Sequence, residues 1–244
     1  MKSQLLERIV STESGLVDGS LFMEHEESTG KGRIYSFLNP VSYLDALKHK
    51  ELFCHMDGLF ADGSLLVAAI KICYGVKVTR CSFDMTSLAP KLLNYAAENG
   101  KTVYIVASKQ EQVERAVEIF REQYKGINII GYRNGYFANE EEKDKEAKHI
   151  ADLNPDFVIV GMGAIMQEQF LLKVKNAGYR GIGFTCGGFI HQTARSEADY
   201  YPGWVDRMNL RFLYRMWKEP HTRKRYLIAG LVFPARFVWE RFFG

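Results

Sequence analysis

The chain has 244 residues, of which 47% are hydrophobic and 25% charged, a balance that excludes global disorder and a length that buries a full core. Four cysteines without CxxC spacing, and an opening Met1-Lys2-Ser3-Gln4 without an apolar signal segment, lead to the expectation of a reduced, cytosolic protein with buried thiols. The net charge of +3 hides an asymmetry: residues 203–244 hold nine Lys/Arg against three Asp/Glu, and the rest of the chain is net acidic.

Residues 1–32, with Glu24, Glu26 and Glu27 near Gly30 and Gly32, read as a loosely packed lead-in. Strands are expected at 33–38 and 52–55, a helix at 64–74 and another at 88–99. From residue 102 onward short β-rich runs alternate with longer helical patterns. The strand 102–107 precedes an amphipathic helix at 110–124, with Val113, Val117 and Phe120 on one face. A strand at 128–131 is followed by a strongly charged helix at 140–153, which Asn154-Pro155 ends, and by a buried strand at 156–161. A helix at 166–177, closed by Gly178, leads to a last strand at 181–186. This alternation predicts βαβ units. The expected architecture is α/β: a Rossmann-like, mostly parallel sheet flanked by helices over 33–200, then a basic and aromatic helical appendage over 201–244.

All three tryptophans, Trp204, Trp217 and Trp239, fall in that appendage. Its apolar run 226–233 is eight residues long before Pro234, against the ~20 that a spanning helix needs. Arg207, Arg211 and Arg215, interleaved with Trp, Phe and Tyr, suit a segment lying on an anionic leaflet, where each cation contributes about 1 kcal/mol. A helical pair packed on the core is the alternative, and the aromatic content disfavours nucleic acid.

Asp62 stands where the apolar stretch ending in Phe60-Ala61 meets a mostly apolar helical run. Two readings are open: a helix N-cap, or a general base at a strand-to-helix junction, where open α/β sheets place their sites. Gly161-Met162-Gly163 resembles the start of a dinucleotide fingerprint, but Met166 replaces the third glycine and no acid follows the next strand near Cys186. A nicotinamide cofactor is therefore not expected. The two glycines still permit a phosphate to approach a helix N-terminus, or serve chain geometry alone. Gln167 and Glu168 follow in the first turn of that helix. Asp84 and Thr86 precede the helix at 88–99, where capping is the plainer role. His191, after the last strand, is a candidate hydrogen-bond donor to a substrate. No HExxH, Walker or GxSxG motif occurs, and no acids stand at metal-ligand spacing, so neither metal nor cofactor is expected.

Taken in order, these motifs resemble the WecG/TagA/CpsF family of bacterial glycosyltransferases. The pieces are Asn39-Pro40-Val41-Ser42, Ala61-Asp62-Gly63, Ser82-Phe83-Asp84-Met85, Gly135-Tyr136-Phe137, Pro155-Asp156, Val158 to Gly163, Gln167-Glu168, Gly187-Gly188, Tyr214-Arg215, Glu219-Pro220 and Arg225-Tyr226. The resemblance implies inverting, metal-independent transfer of a sugar, commonly of the N-acetylmannosamine type, from a UDP-sugar to a lipid-diphosphate-linked sugar in cell-surface polysaccharide synthesis. It implies Asp62 as catalytic base. It also implies nucleotide-sugar binding by Gln167 and Glu168 and matches Arg215 and Arg225 to the family's C-terminal arginines, and Asn39, Asp84, Tyr136, Gly161, Gly163 and His191 complete the candidate substrate contacts. The expected setting is the cytoplasmic face of the plasma membrane, held peripherally, with a homo-oligomer possible and nucleic acid excluded. The chain departs from the family's pattern at Ile165, where proline is usual, at Ala107-Ser108, where Gly-Gly is usual, and in the tail at Tyr200-Tyr201-Pro202, Arg211-Phe212 and Thr222. A nucleotide-sugar-binding assembly protein without catalysis is the reading from another class.

Overall fold

In the computed structural model of the chain, which describes residues 4–12, 32–195, 214, 216–217 and 223–243, six parallel strands form one sheet. They are β1 (Arg33–Leu38), β2 (Gly58–Ala61), β3 (Thr102–Ala107), β4 (Asn128–Arg133), β5 (Phe157–Gly161) and β6 (Ile182–Thr185), in the spatial order β2-β1-β6-β5-β3-β4. The helices are α1 (Gln4–Thr12), α2 (Pro40–Lys48), α3 (Lys50–Cys54), α4 (Ser64–Tyr74), α5 (Leu88–Glu98), α6 (Gln110–Gln123), α7 (Glu140–Leu153), α8 (Met166–Asn176), α9 (Phe189–Arg195) and α10 (Arg223–Phe243).

A parallel sheet covered on both faces needs apolar side chains in both directions. In β3, Val103, Ile105 and Ala107 enter one core while Tyr104 and Val106 enter the other; Phe157 and Ile159 alternate with Val158 and Val160 in β5. The first core is roofed by α5, α6 and α9, the second by α1, α2, α4, α7, α8 and α10. This is the Rossmann-like α/β arrangement expected from the sequence.

Two local expectations change. The strand expected at 52–55 is the short helix α3, and the strand lies later, at Gly58–Ala61, where all four residues are buried. A short apolar run carries too little periodicity to separate the two states. Within the expected lead-in, α1 buries Leu5, Leu6 and Ile9 against the edge strand β2, and Arg8 Nη1 donates to the Met56 carbonyl at 2.5 Å. The helix shields a strand edge that would otherwise offer unpaired backbone groups. At the C-terminus α10 continues through Pro234. An interior proline costs about 3 kcal/mol, and burying a Phe returns about 1.5–3 kcal/mol. Phe233 and Phe237 flank the proline and pack on Tyr43, with ring centroids 5.6 and 5.2 Å away, and Phe237 also packs on Tyr74 at 5.6 Å. Buried Glu240 adds ion pairs to Lys50 at 3.2 Å and Arg236 at 3.5 Å. No helix among the described residues is long and apolar enough to cross a membrane.

Ser108, at the end of β3, holds φ at +54°, a left-handed conformation that costs an L side chain roughly 1–2 kcal/mol. A glycine there, the residue usual in the family it resembles, avoids that cost but gives back about 0.5–1 kcal/mol in unfolded-chain entropy. Ser108→Gly is therefore expected to raise the melting temperature by about 1–4 °C. An unchanged or lower midpoint in a thermal melt would contradict the strain.

Candidate active site

Because all strands run parallel, their carboxyl ends share one edge of the sheet. At that edge β1 leads into α2 on one face, while its neighbour β6 leads into α9 on the other. The diverging chains leave a crevice, as open α/β sheets do at such switch points. It is a cleft of about 850 Å³, walled by residues that follow every strand: Asn39, Asp62, Ser108, Tyr136, Gly163 and Gly187 among them. That volume suits a ligand of nucleotide size.

Asp62 lies half-buried in this wall. Its N–H donates to the Leu38 carbonyl at 2.8 Å, carrying the β1–β2 ladder one residue past the strand. The N-cap of α4 is Gly63, at φ +103°, with no side-chain cap bond. Asp62 is thus not the N-cap residue itself but the residue before it, on the cleft wall. Leu38 pairs with Ala61, so Asn39 and Asp62 leave neighbouring strands about 4.8 Å apart. Asn39 caps α2 with its Oδ1, which accepts from Val41 N (2.9 Å) and Ser42 N (3.1 Å). Its Nδ2 is what it can offer a ligand.

Cationic groups face the same space. Cys81 N donates to the Ala61 carbonyl at 3.0 Å, which lays the following segment beside the end of β2 and brings Arg80 to the wall that carries Asp62. Arg80 was not among the residues expected from sequence. Nothing in its local pattern marks it; only the tertiary pairing of residue 81 with strand β2 does. Lys143, paired with Glu140 at 2.5 Å, is the second cation lining the cleft, and the imidazole-bearing His191, on α9, lines it as well.

The two fingerprint glycines have separate causes. A Cβ at Gly161 would lie 2.7 Å from Cys186 Sγ and 2.8 Å from the Gly187 carbonyl oxygen, so close packing of β5 against the end of β6 requires glycine. Gly163 holds φ +86°. Both line the cleft next to the N-terminus of α8. Gln167 lines it too: its Oε1 accepts from Gly187 N at 3.1 Å and its Nε2 donates to Glu168 Oε1 at 2.9 Å. Glu168, expected to contact substrate, stands behind the wall at 2% exposure. Burial pushes its carboxyl pKa up, and hydrogen bonds from Gln167 and Ser36 pull it back.

Asp84 lines the cleft with one oxygen committed to a turn, where Oδ1 accepts from Thr86 N (2.9 Å) and Thr86 Oγ1 (2.6 Å). Tyr136 is 66% exposed at the rim, and its backbone is held by Asn134 Oδ1 and Arg133 Nη2. Arg225 falls in α10, and its side chain, like the whole of Arg215, lies outside the described residues. Burial pushes the thiols of Cys81 and Cys186 up to about 12, so neither supplies a thiolate nucleophile near neutral pH. Among the described residues no three His, Cys, Asp or Glu gather as a metal's ligands would.

A parallel sheet with two acids and two cations around a crevice at its carboxyl edge defines an α/β enzyme with a nucleotide-sized site. The chain matches the Glycosyl transferase WecG/TagA/CpsF family over residues 20–244 and belongs to it. It is 34% identical over 218 residues, 89% of this chain and 90% of the relative, to the UDP-Gal:alpha-D-GlcNAc-diphosphoundecaprenol beta-1,4-galactosyltransferase of Shigella boydii. It is 25% identical over 232 residues, 93% of this chain and 88% of the relative, to the N-acetylglucosaminyldiphosphoundecaprenol N-acetyl-beta-D-mannosaminyltransferase of Bacillus subtilis (strain 168). The protein is thus an enzyme, a glycosyltransferase, and the non-catalytic alternative falls away.

Gly161→Ala is expected to overpack the junction of β5 and β6 at a cost of roughly 1–3 kcal/mol, a drop in melting temperature of about 2–12 °C. A wild-type midpoint would show that the contact yields without cost.

Proposed function

We propose that the protein transfers a hexose or N-acetylhexosamine from a UDP-sugar to a sugar borne on a lipid diphosphate, with inversion, in cell-surface polysaccharide synthesis. The named relatives act on diphosphoundecaprenol-linked acceptors, and one of them uses UDP-Gal. The observation that carries the reading is Asp62, one residue past the end of β2 and set in the cleft wall that Asn39 and Arg80 also line. In the proposed step Asp62 takes the proton from an acceptor hydroxyl as that oxygen bonds to the anomeric carbon. The bond from that carbon to the β-phosphate oxygen breaks and UDP departs with the electron pair. Arg80 and Lys143 are the described cations placed to offset its charge, and Arg215 and Arg225 are the tail's candidates for the same task.

General-base catalysis contributes typically about 10²–10⁴-fold. Asp62→Asn is expected to lower turnover by that factor with an unchanged circular dichroism spectrum, followed as UDP release from UDP-galactose and UDP-N-acetylmannosamine with a lipid-diphosphate acceptor analogue. Near-normal turnover removes Asp62 from the role.

The setting we propose is peripheral, on the cytoplasmic face of the membrane. The outer face of α10 exposes Leu227, Leu231, Val232, Val238, Trp239 and Phe242, with Arg223, Lys224 and Arg236 exposed on the same helix. Such a helix lies in the interface plane of an anionic leaflet. Replacing Leu231 and Phe242 by Glu is expected to cut cosedimentation with phosphatidylglycerol vesicles several-fold without lowering the melting temperature. Undiminished vesicle binding by this variant defeats the membrane face.

A further inference from the structure

A buried carboxylate behind the cleft wall takes no part in the reaction just described. Glu168 Oε1 accepts from Ser36 Oγ at 2.7 Å and from Gln167 Nε2 at 2.9 Å, while its Oε2 accepts from Ile165 N at 2.7 Å. Ser36 Oγ in turn accepts from Thr185 Oγ1 at 3.0 Å. Gln167 is therefore gripped at both ends, its Oε1 by the Gly187 N–H and its Nε2 by the carboxylate. Turning the amide over would set two donors against each other at Gly187 and two acceptors against each other at Glu168. In a place almost closed to water neither conflict can be relieved by solvent. One orientation is imposed, with a single Nε2 hydrogen remaining on a side chain that lines the cleft.

The same carboxylate holds the turn before Gln167. Ile165, β-branched, sits at φ +72°, a conformation that costs of order 1–3 kcal/mol and persists only where its surroundings hold it. Glu168 Oε2 supplies that hold through the Ile165 N–H.

We propose that Glu168 is a positioning residue of the donor site, acting through Gln167: it fixes the Gln167 amide so that its remaining N–H meets an oxygen of the bound nucleotide sugar. This rests on the UDP-sugar reading above. A purely structural role is separable, because Glu168 occupies the third position of α8, where Glu and Gln serve the N-terminal N–H equally well. In Glu168→Gln the carbonyl oxygen can keep Ile165 N, but the new NH₂ then faces Gln167 Nε2, donor against donor. The variant keeps the helix start and releases the Gln167 amide.

The test is calorimetric titration of UDP and UDP-galactose into wild type, Glu168→Gln, Gln167→Ala and the double variant, with melting temperatures alongside. Glu168→Gln is expected to bind at least tenfold more weakly, to melt cooperatively about 2–12 °C below wild type for the buried donor clash, and to add nothing to the binding loss in the Gln167→Ala background, the non-additivity of residues acting as one unit. Wild-type affinity in Glu168→Gln, or effects that simply add, overturns the inference alone. A wild type that binds neither compound overturns the donor reading and this inference with it. Should the glutamine variant fail to fold, Glu168→Asp keeps the charge and draws it back by one methylene. It too is expected to weaken binding at least tenfold, and unchanged affinity in it overturns the proposal.

Discussion

The structure depends on a sheet whose strands all end at one edge while their continuations part to opposite faces. Parallel strands buried on both sides are mostly apolar, as β3 and β5 are, and the hydroxyls that β1 and β6 bury, Ser36 and Thr185, are tied into the hydrogen-bond chain that ends on Glu168. The acid proposed to react stands just past a strand, where the backbone ladder still fixes position but the side chain meets the cleft. Asp62 shows this directly, its N–H still in the ladder to Leu38 while its carboxylate lines the cavity. Rigid placement and chemical freedom meet within one residue of the strand's end.

Two acids close to the same site have opposite environments. Asp62 is half-buried and faces the cleft, whereas Glu168 is sealed behind it with hydrogen-bond donors at both oxygens. A carboxylate surrounded by fixed donors is held in place and is poorly suited to carry protons, while one that faces substrate can do so. In the proposed mechanism the first handles the proton and the second shapes the wall against which the nucleotide sugar lies.

Much of this was legible in the sequence, and the parts that were not share a cause. The strands β3 and β5 and the helices from α4 to α8 follow from periodicity and punctuation, because long, regular segments carry their own signal. Asp62 stood out by being polar at an apolar junction. Whether it capped a helix turned on one residue's position, since Gly63, not Asp62, is the cap of α4. Glu168 was marked by its motif but misplaced, because Ser36, which binds it, lies 132 residues away in the chain. Arg80 reaches the cleft through a backbone pairing with β2 that no local pattern announces. The departures from the family pattern also acquire physical content. Ser108 occupies a left-handed conformation for which glycine is the natural residue, and Ile165 adopts a positive φ closed to proline and gives Glu168 an N–H that proline lacks.

The last helix joins the two halves of the proposed function. Ala229 and Gly230 line the cleft, Phe233 and Phe237 anchor the helix on Tyr43, and the exposed side carries Leu231, Val238 and Phe242. A lipid-linked acceptor holds its reacting sugar only a diphosphate away from the bilayer, so a transferase acting on it must bring its cleft close to the membrane surface. A helix with one side in the reaction chamber and the other apolar and flanked by cations meets that requirement without spanning the bilayer. The interior proline is tolerable in such a helix, because aromatic burial on the inner side fixes its path.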